Sequence, residues 1–314
     1  MTEPLLPPHR PLRLGTRASP LAMAQARLTA QALTAAHGWA ADRITIVPVT
    51  ASGDKVLDRP LADIGGKALW TKELDHWLHD GTIDAAVHSM KDVETIRPET
   101  LHIAAMLPRA DVRDTLIGAA SIEALPDGGR LGTSSPRRAA QIRRLRPDIA
   151  PVLFRGNVAT RLARLAAGEA DATLLATAGL ERLGQTQAGT PVPIGQMLPA
   201  PAQGAIGIEV LAANSGITTL MAAIDDRDTS DCVHMERAVL AGLGGTCHSP
   251  IAALATIEAD GGSLLLRAEI LAPDGSEHHA ESRPLDRADR AGAFALGRAL
   301  LASASPALRA LFTP

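Results

Sequence analysis

The sequence predicts an α/β protein with two similar domains, followed by a smaller α+β domain. Short β-like runs alternate with helical patterns over most of the 314 residues, as in sheets whose strands are joined by helices. Two short fragments recur in similar form: LGTRASP resembles LGTSSP, and GTIDAAV resembles GEADATL. The C-terminal part instead has the pattern of a helix, a long hairpin and a second helix. The predicted boundaries are residues 1–107 with 203–226, 108–202 and 227–314.

The first domain begins with a strand in PLRLGTR and a helix in SPLAMAQARLTAQALTAAHG. Ser19 is suited to cap this helix, Pro20 to open it and Gly38 to end it. RITIVPVT and IDAAVHS predict strands, and TKELDHWLHDG predicts a helix closed by Gly81. The polar insertion at residues 50–70 has the glycine-rich composition of a mobile lid.

The second domain repeats this order of elements. GRLGTSSPRRAAQIRRLRP predicts a strand and a helix, and APVLFRGNVATRLARLAAG a strand and a helix capped by Asn157. ADATLLATAGL predicts a further strand, and the glycine-bearing APAQGAIGIEV is able to return to the first domain. From about Ser230 a helix leads to a cysteine loop, a hairpin around Asp274 and Gly275, and a closing helix in ADRAGAFALGRALLAS.

Composition predicts a folded globular protein, since 46% of residues are hydrophobic, 21% are charged and the net charge is −3. The N-terminal stretch MTEPLLPPHRPLRLG lacks the apolar core of a secretory signal, and no run reaches the ~18 apolar residues of a membrane span. Two cysteines do not suggest a disulfide framework. We therefore expect a protein of the reducing cytoplasm.

The basic residues are unevenly distributed. Of 31 lysines and arginines only four are lysines, all between Lys55 and Lys91. From Arg130 to Arg182 there are ten arginines but four acids. Such a local excess in a mildly acidic protein predicts a localised anion site, and the arginine fork suits carboxylates.

Both Gly-Thr repeats lead a strand into a helix start, where unpaired backbone N–H groups favour an anion. Because ligands of open α/β sheets bind at the carboxyl ends of strands, we expect a cleft between the domains for a substrate with several carboxylates. The alternative is that these residues are ordinary caps and surface arginines. The residues near the two helix starts are Arg17, Ser19, Thr133, Ser134, Arg137 and Arg138.

VHSMKDV places Lys91 and Asp92 directly after a predicted strand. A carboxylate there is able to stabilise a cation or move a proton, although an ordinary Lys–Asp surface pair fits the same stretch. His88 is expected to be a hydrogen-bonded strand residue, and the pair His278–His279 a solvated turn. No metal site is predicted.

Cys247 lies in AGLGGTCHSPIA, where glycine, threonine and proline leave a thiol sterically open. His248 could tune the pKa of this thiol, but adjacent residues rarely face each other well enough for a catalytic pair. Cys232 lies on a helical pattern and is expected to be a small core residue. The sequence thus predicts an accessible thiol at Cys247 and leaves its use open.

Eight motifs extend over essentially the whole chain: GTRASPLA, GGKALWTKEL, AVHSMKD, GTSSPRR, FRGNVATRL, ATAGLERLG, PAPAQGAIGIE and GGTCHSPI. In this order they resemble the hydroxymethylbilane synthases, also called porphobilinogen deaminases, and the sequence is identified as a member of that family. The resemblance implies two domains of the periplasmic-binding-protein (type II) fold facing a cleft, with a third domain that carries a cofactor cysteine.

By this resemblance, Cys247 forms a thioether to a dipyrromethane cofactor. The implied reaction condenses four porphobilinogen molecules head to tail with loss of ammonia, and hydrolysis releases 1-hydroxymethylbilane. Asp92 is the implied catalytic carboxylate, which stabilises a positively charged azafulvene as ammonia leaves, and Lys67 and Trp70 belong to the lid. The implied cofactor- and substrate-binding residues are Arg17, Ser19, Gln25, Lys91, Thr133, Ser134, Arg137, Arg138, Arg155, Arg161, Arg182 and Gln203.

Five residues depart from the usual family pattern: Ala68, Trp70, Glu94, Ala202 and Thr246. Glu94 stands where proline is usual and is expected to add negative charge near Asp92. Ala202 stands where glycine is usual and should make the crossing between domains less permissive. None of the five removes a catalytic group.

Two other classes of function fit part of the pattern. A carboxylate-binding protein of the same bilobed fold explains the arginines but has no use for an exposed cysteine. A thiol-dependent hydrolase would need a histidine within reach of Cys247. The resemblance implies instead a monomeric enzyme for porphobilinogen, with no nucleic-acid or membrane partner.

Overall fold

The computed structural model describes residues 10–49, 68–244 and 249–312. The chain divides into two compact units, each built from two separate stretches. The first is Met1–Arg109 with Ala205–Ser230, and the second is Ala110–Gly204 with Asp231–Pro314.

Strands and helices alternate along most of the described chain, as the sequence predicts. The strands are β1 (Leu12–Arg17), β2 (Ile44–Val49), β3 (Ala85–Ser89), β4 (Leu101–Met106), β5 (Asp114–Ile117), β6 (Arg130–Thr133), β7 (Ala150–Leu153), β8 (Ala172–Ala176), β9 (Thr190–Pro191), β10 (Ile206–Leu211), β11 (Ile251–Ile257), β12 (Ser263–Leu271) and β13 (His278–Asp286). The α-helices are α1 (Pro20–His37), α2 (Ala68–His79), α3 (Pro136–Leu145), α4 (Val158–Ala166), α5 (Thr177–Arg182), α6 (Ser215–Ala222), α7 (Arg227–Leu243), α8 (Arg290–Ser303) and α9 (Pro306–Ala310).

The first unit contains a five-stranded sheet of order β2-β1-β3-β10-β4. β1 is parallel to β2 and β3, whereas β10 is antiparallel to β3 and β4. Helix α1 packs on β1 and β3 and buries Ala26 and Leu33. Because β10 lies in APAQGAIGIEV, the expected return of that segment to the first sheet is confirmed.

The second unit contains a sheet of order β7-β6-β8-β5-β9. β6 is parallel to β7 and β8, and β5 is antiparallel to β8. The order β7-β6-β8-β5 therefore matches β2-β1-β3-β10 in both position and direction. The repeated LGT lies in β1 and β6, and the second repeat leads into β3 and β8, so the prediction of two similar α/β domains is confirmed.

The glycine of each LGT fragment makes room for a core side chain. A Cβ on Gly15 would lie 2.3 Å from Ile83 Cδ1, and one on Gly132 would lie 2.4 Å from the ring of Phe154. Ile83 and Phe154 are both fully packed, with exposures of 2% and 0%. The repeat is therefore imposed by close packing against the strand as well as by the helix start that follows it.

The C-terminal part of the second unit is an antiparallel sheet of order β11-β12-β13. Its core includes Met235 and Val239 of α7 with Leu296 and Leu300 of α8. The predicted hairpin is confirmed as β12 and β13, joined by residues 272–277. β11 was not predicted, because its short apolar side chains follow the cysteine loop without a clear alternation of polar residues.

Capping chemistry fixes several helix boundaries as predicted. The Ser19 hydroxyl accepts a hydrogen bond from the Ala22 N–H (3.4 Å), and Gly38 ends α1 in the left-handed conformation with φ 64°. Asn157 Oδ1 accepts from the Thr160 N–H at 2.9 Å and starts α4. These signals are local, so the sequence alone reveals them.

Two predicted boundaries are wrong. The predicted strand in ADATLLATAGL ends at Ala176, and α5 begins at Thr177, whose hydroxyl lies 2.8 Å from that of Thr115. A short apolar run fits a buried strand and a buried helix equally. α2 begins at Ala68, so the end of the predicted lid is helical, whereas residues 50–67 of that lid lie outside the described residues. No helix in the described ranges is both long and apolar enough to cross a membrane.

Candidate active site

A pocket in the first unit lies where β1 and β3 end, beside the first turn of α1. β1 ends at Arg17 and β3 at Ser89, and both residues line the pocket. The polar residues of the lining are Arg17, Ser19, Gln25, Thr71, His88, Ser89 and Asp92. The structure thus brings together Arg17, Ser19, Gln25 and Asp92, which the sequence analysis named as site residues.

Asp92 ends a short 3₁₀ turn, Met90–Asp92, that follows β3 directly. The Met90 N–H donates to the Ala205 carbonyl at 3.1 Å, and the Val93 N–H donates to the Met90 carbonyl at 3.2 Å. Met90 is buried against β10, where a Cβ on Gly207 would lie 2.1 Å from its Sδ. The turn is therefore fixed by the strand that returns to this sheet, and Asp92 is held at the pocket.

Two further groups shape the same pocket. Gln25 is 2% exposed, and its Nε2 donates to Ser89 Oγ at 2.7 Å, which joins α1 to the end of β3. Lys91 is half-buried and neighbours Asp92 in the turn, and Arg17 is half-buried at the end of β1. A cation and a carboxylate therefore line one pocket, which suits a ligand that carries both signs of charge.

The corresponding helix start of the second unit is also polar. Ser135 caps α3 by accepting a hydrogen bond from the Arg138 N–H at 3.4 Å, and Thr133 ends β6. The hydroxyl of the exposed Ser134 accepts from Arg161 Nη2 at 3.2 Å. Ser134 and Arg161 are therefore neighbours at the N-terminal end of α3.

Arg137 and Arg138 bind a carboxylate of the protein itself. Arg137 Nη2 donates to Asp114 Oδ2 at 2.8 Å, and Arg138 Nη2 donates to Oδ1 at 2.7 Å. Gln203 Nε2 also donates to Oδ1, at 2.9 Å. Burial alone would raise the pKa of Asp114, but the charges and hydrogen bonds of the two arginines outweigh it and lower that pKa. Contact of these residues with a ligand stays a prediction.

In the described part of the chain, neither Arg155 nor Arg182 forms an ion pair or hydrogen bond with a carboxylate. Arg155 is 8% exposed, and its buried Nη1 has no hydrogen-bond partner among the described residues. Arg182 Nη2 donates to the Gly204 carbonyl at 2.6 Å, and burial lowers the pKa of Arg182 to about 10, with Glu181 opposing the shift. Because a buried cation without a direct ion pair is unfavourable, both residues suit an anionic ligand.

Some predicted site residues fall outside the described ranges. Cys247 and Lys67 are among them, as is the side chain of Trp70. The segment with Cys247 joins α7 to β11. Cys232 is 6% exposed in the C-terminal core, as predicted. No group of three or more His, Cys, Asp or Glu residues is arranged to hold a metal ion in the ranges that the structure covers.

Sequence reasoning missed two residues that contact these side chains or line the pocket. Asp114 begins β5, a strand whose residues are all buried, and a carboxylate in such a strand signals a buried cation. Thr71 lies in the first turns of α2 and lines the pocket, which no local pattern indicates. His88 lies in β3 as predicted, with Nε2 3.1 Å from Glu209 Oε2.

Comparison with protein families assigns both parts of the chain. A family model described as "Porphobilinogen deaminase, dipyromethane cofactor binding domain" matches residues 12–219. A second, described as "Porphobilinogen deaminase, C-terminal domain", matches residues 230–304. A solved periplasmic substrate-binding protein of an ABC transporter from Coxiella burnetii aligns over 68% of this chain and 91% of its own, at 14% identity and a TM-score of 0.42.

Curated relatives resemble the chain along nearly its full length. The porphobilinogen deaminase of Sphingopyxis alaskensis is 58% identical over 313 residues, which cover 98% of each protein. That of Paracoccus denitrificans is 52% identical over 287 residues, which cover 90% of this chain and 91% of the relative. Two family models match consecutive parts of the chain, and two curated relatives are more than 50% identical to it. The chain therefore belongs to the porphobilinogen deaminase family.

Proposed function

We propose that this chain is a hydroxymethylbilane synthase, which joins four porphobilinogen molecules head to tail and releases ammonia and then 1-hydroxymethylbilane. Membership of the porphobilinogen deaminase family supports this reaction, because it is the function of that family. The structural observation that carries the proposal is the pocket that Asp92 shares with Arg17, Ser19 and Gln25.

Asp92 would act as the catalytic carboxylate. As ammonia leaves, positive charge develops on the pyrrole, and a fixed carboxylate beside it lowers the energy of that charge. The attraction is stronger where water is partly excluded, and Asp92 is half-buried. Because the backbone bond from Met90 to Ala205 holds the turn, little reorganisation is needed during the reaction.

The arginines would bind the acetate and propionate groups of the substrate and of the growing chain. Arg17, Ser19 and Lys91 would do so in the first domain. Among the described residues, Arg155 and Arg182 form no ion pair with a carboxylate, and this supports the role, as does the hydrogen bond between Arg161 and Ser134 at the start of α3. The remaining candidates of the second domain are Thr133, Arg137 and Arg138.

Dipyrromethane fits this set of residues, because it carries carboxylates that unneutralised buried arginines can bind. Cys247 would hold it through a thioether, and the group would supply the pyrrole to which the first substrate unit is added. The buried Nε of Arg137 has no hydrogen-bond partner in the ranges that the structure covers, so Arg137 keeps a donor beyond its ion pair with Asp114. Gln25 and Gln203 would contact cofactor or substrate, and Lys67 and Trp70 would belong to a lid.

The proposal also covers organisation and setting. Three domains are proposed at residues 1–107 with 203–226, 108–202 and 227–314, supported by the presence of three separate sheets. The protein would act as a cytoplasmic monomer without nucleic-acid or membrane partners. A net charge of −3 gives no basis for general affinity for nucleic acid, and a chain with two cysteines suits a reducing compartment.

The test compares wild-type and Asp92→Asn holoenzymes with porphobilinogen, by ammonia release and product formation. We expect the wild type to turn over and the variant to lose at least ~100-fold in kcat, the order seen when one stabilising group is removed. Intact mass should show equal cofactor on both, because attachment uses Cys247. Asp84→Asn is the control, since Asp84 is a half-buried carboxylate of the same unit that pairs with Arg13 away from the pocket lining.

Two outcomes would contradict the proposal at different levels. Turnover of Asp92→Asn close to wild type would exclude the proposed role of Asp92. Absence of porphobilinogen consumption by the wild-type protein, even after long incubation, would exclude the function itself.

A further inference from the structure

A buried ion network surrounds Arg97 in the first unit. Arg97 is 9% exposed at its side chain, and its Nε donates to Glu209 Oε1 at 2.8 Å while Nη2 donates to Oε2 at 3.0 Å. The same guanidinium pairs with Asp75 through Nη2 and with Glu94 through Nη1. One arginine therefore joins β10, α2 and the segment that follows the Asp92 turn.

Two of the carboxylates in this network, Glu94 and Glu209, contact residues that line the pocket. Glu94 lies two residues after Asp92, and its Oε2 also accepts a hydrogen bond from Thr71 Oγ1 at 3.0 Å. Glu209 Oε2 lies 3.1 Å from Nε2 of His88. Thr71, His88 and Asp92 all line the pocket. Three residues of the pocket lining are thus connected to a single guanidinium group.

The charged groups in this network stabilise one another's ionised forms. Burial alone would raise the pKa of Glu209, but hydrogen bonds and charges from His88 and Arg97 lower it to about 2. Burial raises the pKa of Asp75 and Arg97 opposes that rise. Lysine could not replace Arg97 here, because the contacts to three carboxylates use the planar fork of the guanidinium.

The negative charge of Glu94 is paired within the structure rather than left beside Asp92. The expected extra negative charge near Asp92 is present, but Arg97 pairs with it. The preceding residue, Val93, has φ −88° and ψ 132°, the extended conformation that a following proline would favour. The side-chain bonds of Glu94 therefore restrain the end of this turn where the family usually has a proline ring.

We propose that Glu94 and Arg97 are positioning residues of the active site, which hold the Asp92 turn against the first turns of α2 and set the width of the pocket. They act through Asp92 and Thr71 and do not touch substrate. The proposal deepens the function given above and rests on it, because positioning matters for the reaction only if Asp92 serves it.

The main test is Glu94→Gln in the holoenzyme, with kcat and KM for porphobilinogen measured separately. The amide keeps the shape of the side chain but loses the charge that attracts Arg97. We expect kcat to fall about tenfold, below the ~100-fold that an ångström-scale misplacement can cost, and KM to change less than about threefold. The control is Glu281→Gln, because the Glu281 side chain is 34% exposed and paired with Arg283, much as Glu94 is 31% exposed and paired with Arg97.

Two further measurements separate positioning from general stability. Hydrogen exchange of a peptide that contains Met90–Asp92 should rise in Glu94→Gln and stay unchanged in Glu281→Gln. Thr71→Val removes the hydroxyl that donates to Glu94 and keeps the volume of the side chain. In a double-mutant cycle, Thr71→Val with Glu94→Ala should lower kcat no further than the more severe single change, since each change alone already removes the hydrogen bond between Thr71 and Glu94.

The outcomes are distinguishable from failure of the proposed function. Wild-type kcat and wild-type exchange in Glu94→Gln, with an active wild type, would overturn the inference, as would fully additive effects in the cycle. If the wild-type protein itself consumed no porphobilinogen, the proposed function would fail, and unchanged exchange at Met90–Asp92 would overturn the inference independently. If Glu94→Gln fails to fold, hydrogen exchange of Met90–Asp92 is measured in Thr71→Val instead. A rise in exchange would support the inference, and unchanged exchange would overturn it.

Discussion

Ala202 is a buried alanine in the left-handed region of backbone space, with φ 61°. It is 2% exposed, and its N–H donates to Glu236 Oε2 at 2.6 Å. The other oxygen of Glu236 accepts from the Ala255 N–H at 2.9 Å. These bonds hold Ala202 in a conformation that glycine adopts without strain, which explains why glycine is usual at this position in the family.

The effect of Ala202→Gly on stability follows from three contributions. Release of the left-handed strain should stabilise the fold by roughly 1–2 kcal/mol. The greater freedom of glycine in the unfolded chain costs about 0.4–1 kcal/mol. Loss of one buried methyl group costs about 0.8 kcal/mol. The contributions nearly cancel, so the free energy of unfolding should stay within about 1 kcal/mol of the wild type.

Ala205→Gly supplies the matched control. Ala205 is also 2% exposed and lies outside helices and strands, but its φ is not positive. It has no strain to release, so the same change should cost about 1–2 kcal/mol. Urea titration of both variants measures the difference directly. If Ala202→Gly destabilised the protein as much as Ala205→Gly, the reasoning about strain at Ala202 would be refuted.

Two other predictions concern buried charges. Arg155→Met should raise KM for porphobilinogen or weaken cofactor retention about tenfold or more, because a charge-assisted bond is worth roughly 1.5–3 kcal/mol. The change should not lower the free energy of unfolding, since it removes a buried cation that forms no ion pair with any described residue. Lower stability with unchanged KM would contradict this prediction. For Glu209, whose pKa is lowered to about 2, the stabilisation should be full above the unfolded pKa of about 4.3 and should disappear as the pH falls towards 2. The stability difference between wild type and Glu209→Gln in urea titrations should therefore be largest near neutral pH and shrink in acid, and a difference that grew in acid would contradict the assignment.

The parts of the fold that depend on neighbouring residues were predictable from the sequence. Ser19 and Asn157 cap helices through hydrogen bonds to residues three positions ahead, and Gly38 ends a helix through its own backbone freedom. The duplicated domain was visible because the same short fragment recurs around Gly15 and Gly132, although the packing that favours it involves Ile83 and Phe154 from distant parts of the chain.

The parts that depend on distant pairing were not predictable in the same way. The motif around Arg137 and Arg138 indicates an anion, but the anion in the structure is Asp114, brought beside α3 by the position of β5 in the sheet. Thr71 and Glu94 meet only because α2 packs beside the Asp92 turn. A sequence pattern identifies charged groups, whereas the tertiary fold decides which of them neutralise one another.

The most direct test of the account is the intact mass of the purified protein, followed by mapping of the peptide that contains Cys247. The account predicts a mass excess of two linked pyrrole units on that peptide, absent from Cys247→Ala. An unmodified protein should acquire the same excess on incubation with porphobilinogen. A modification on a different residue, or a chain that stays unmodified and inactive after that incubation, would contradict the account.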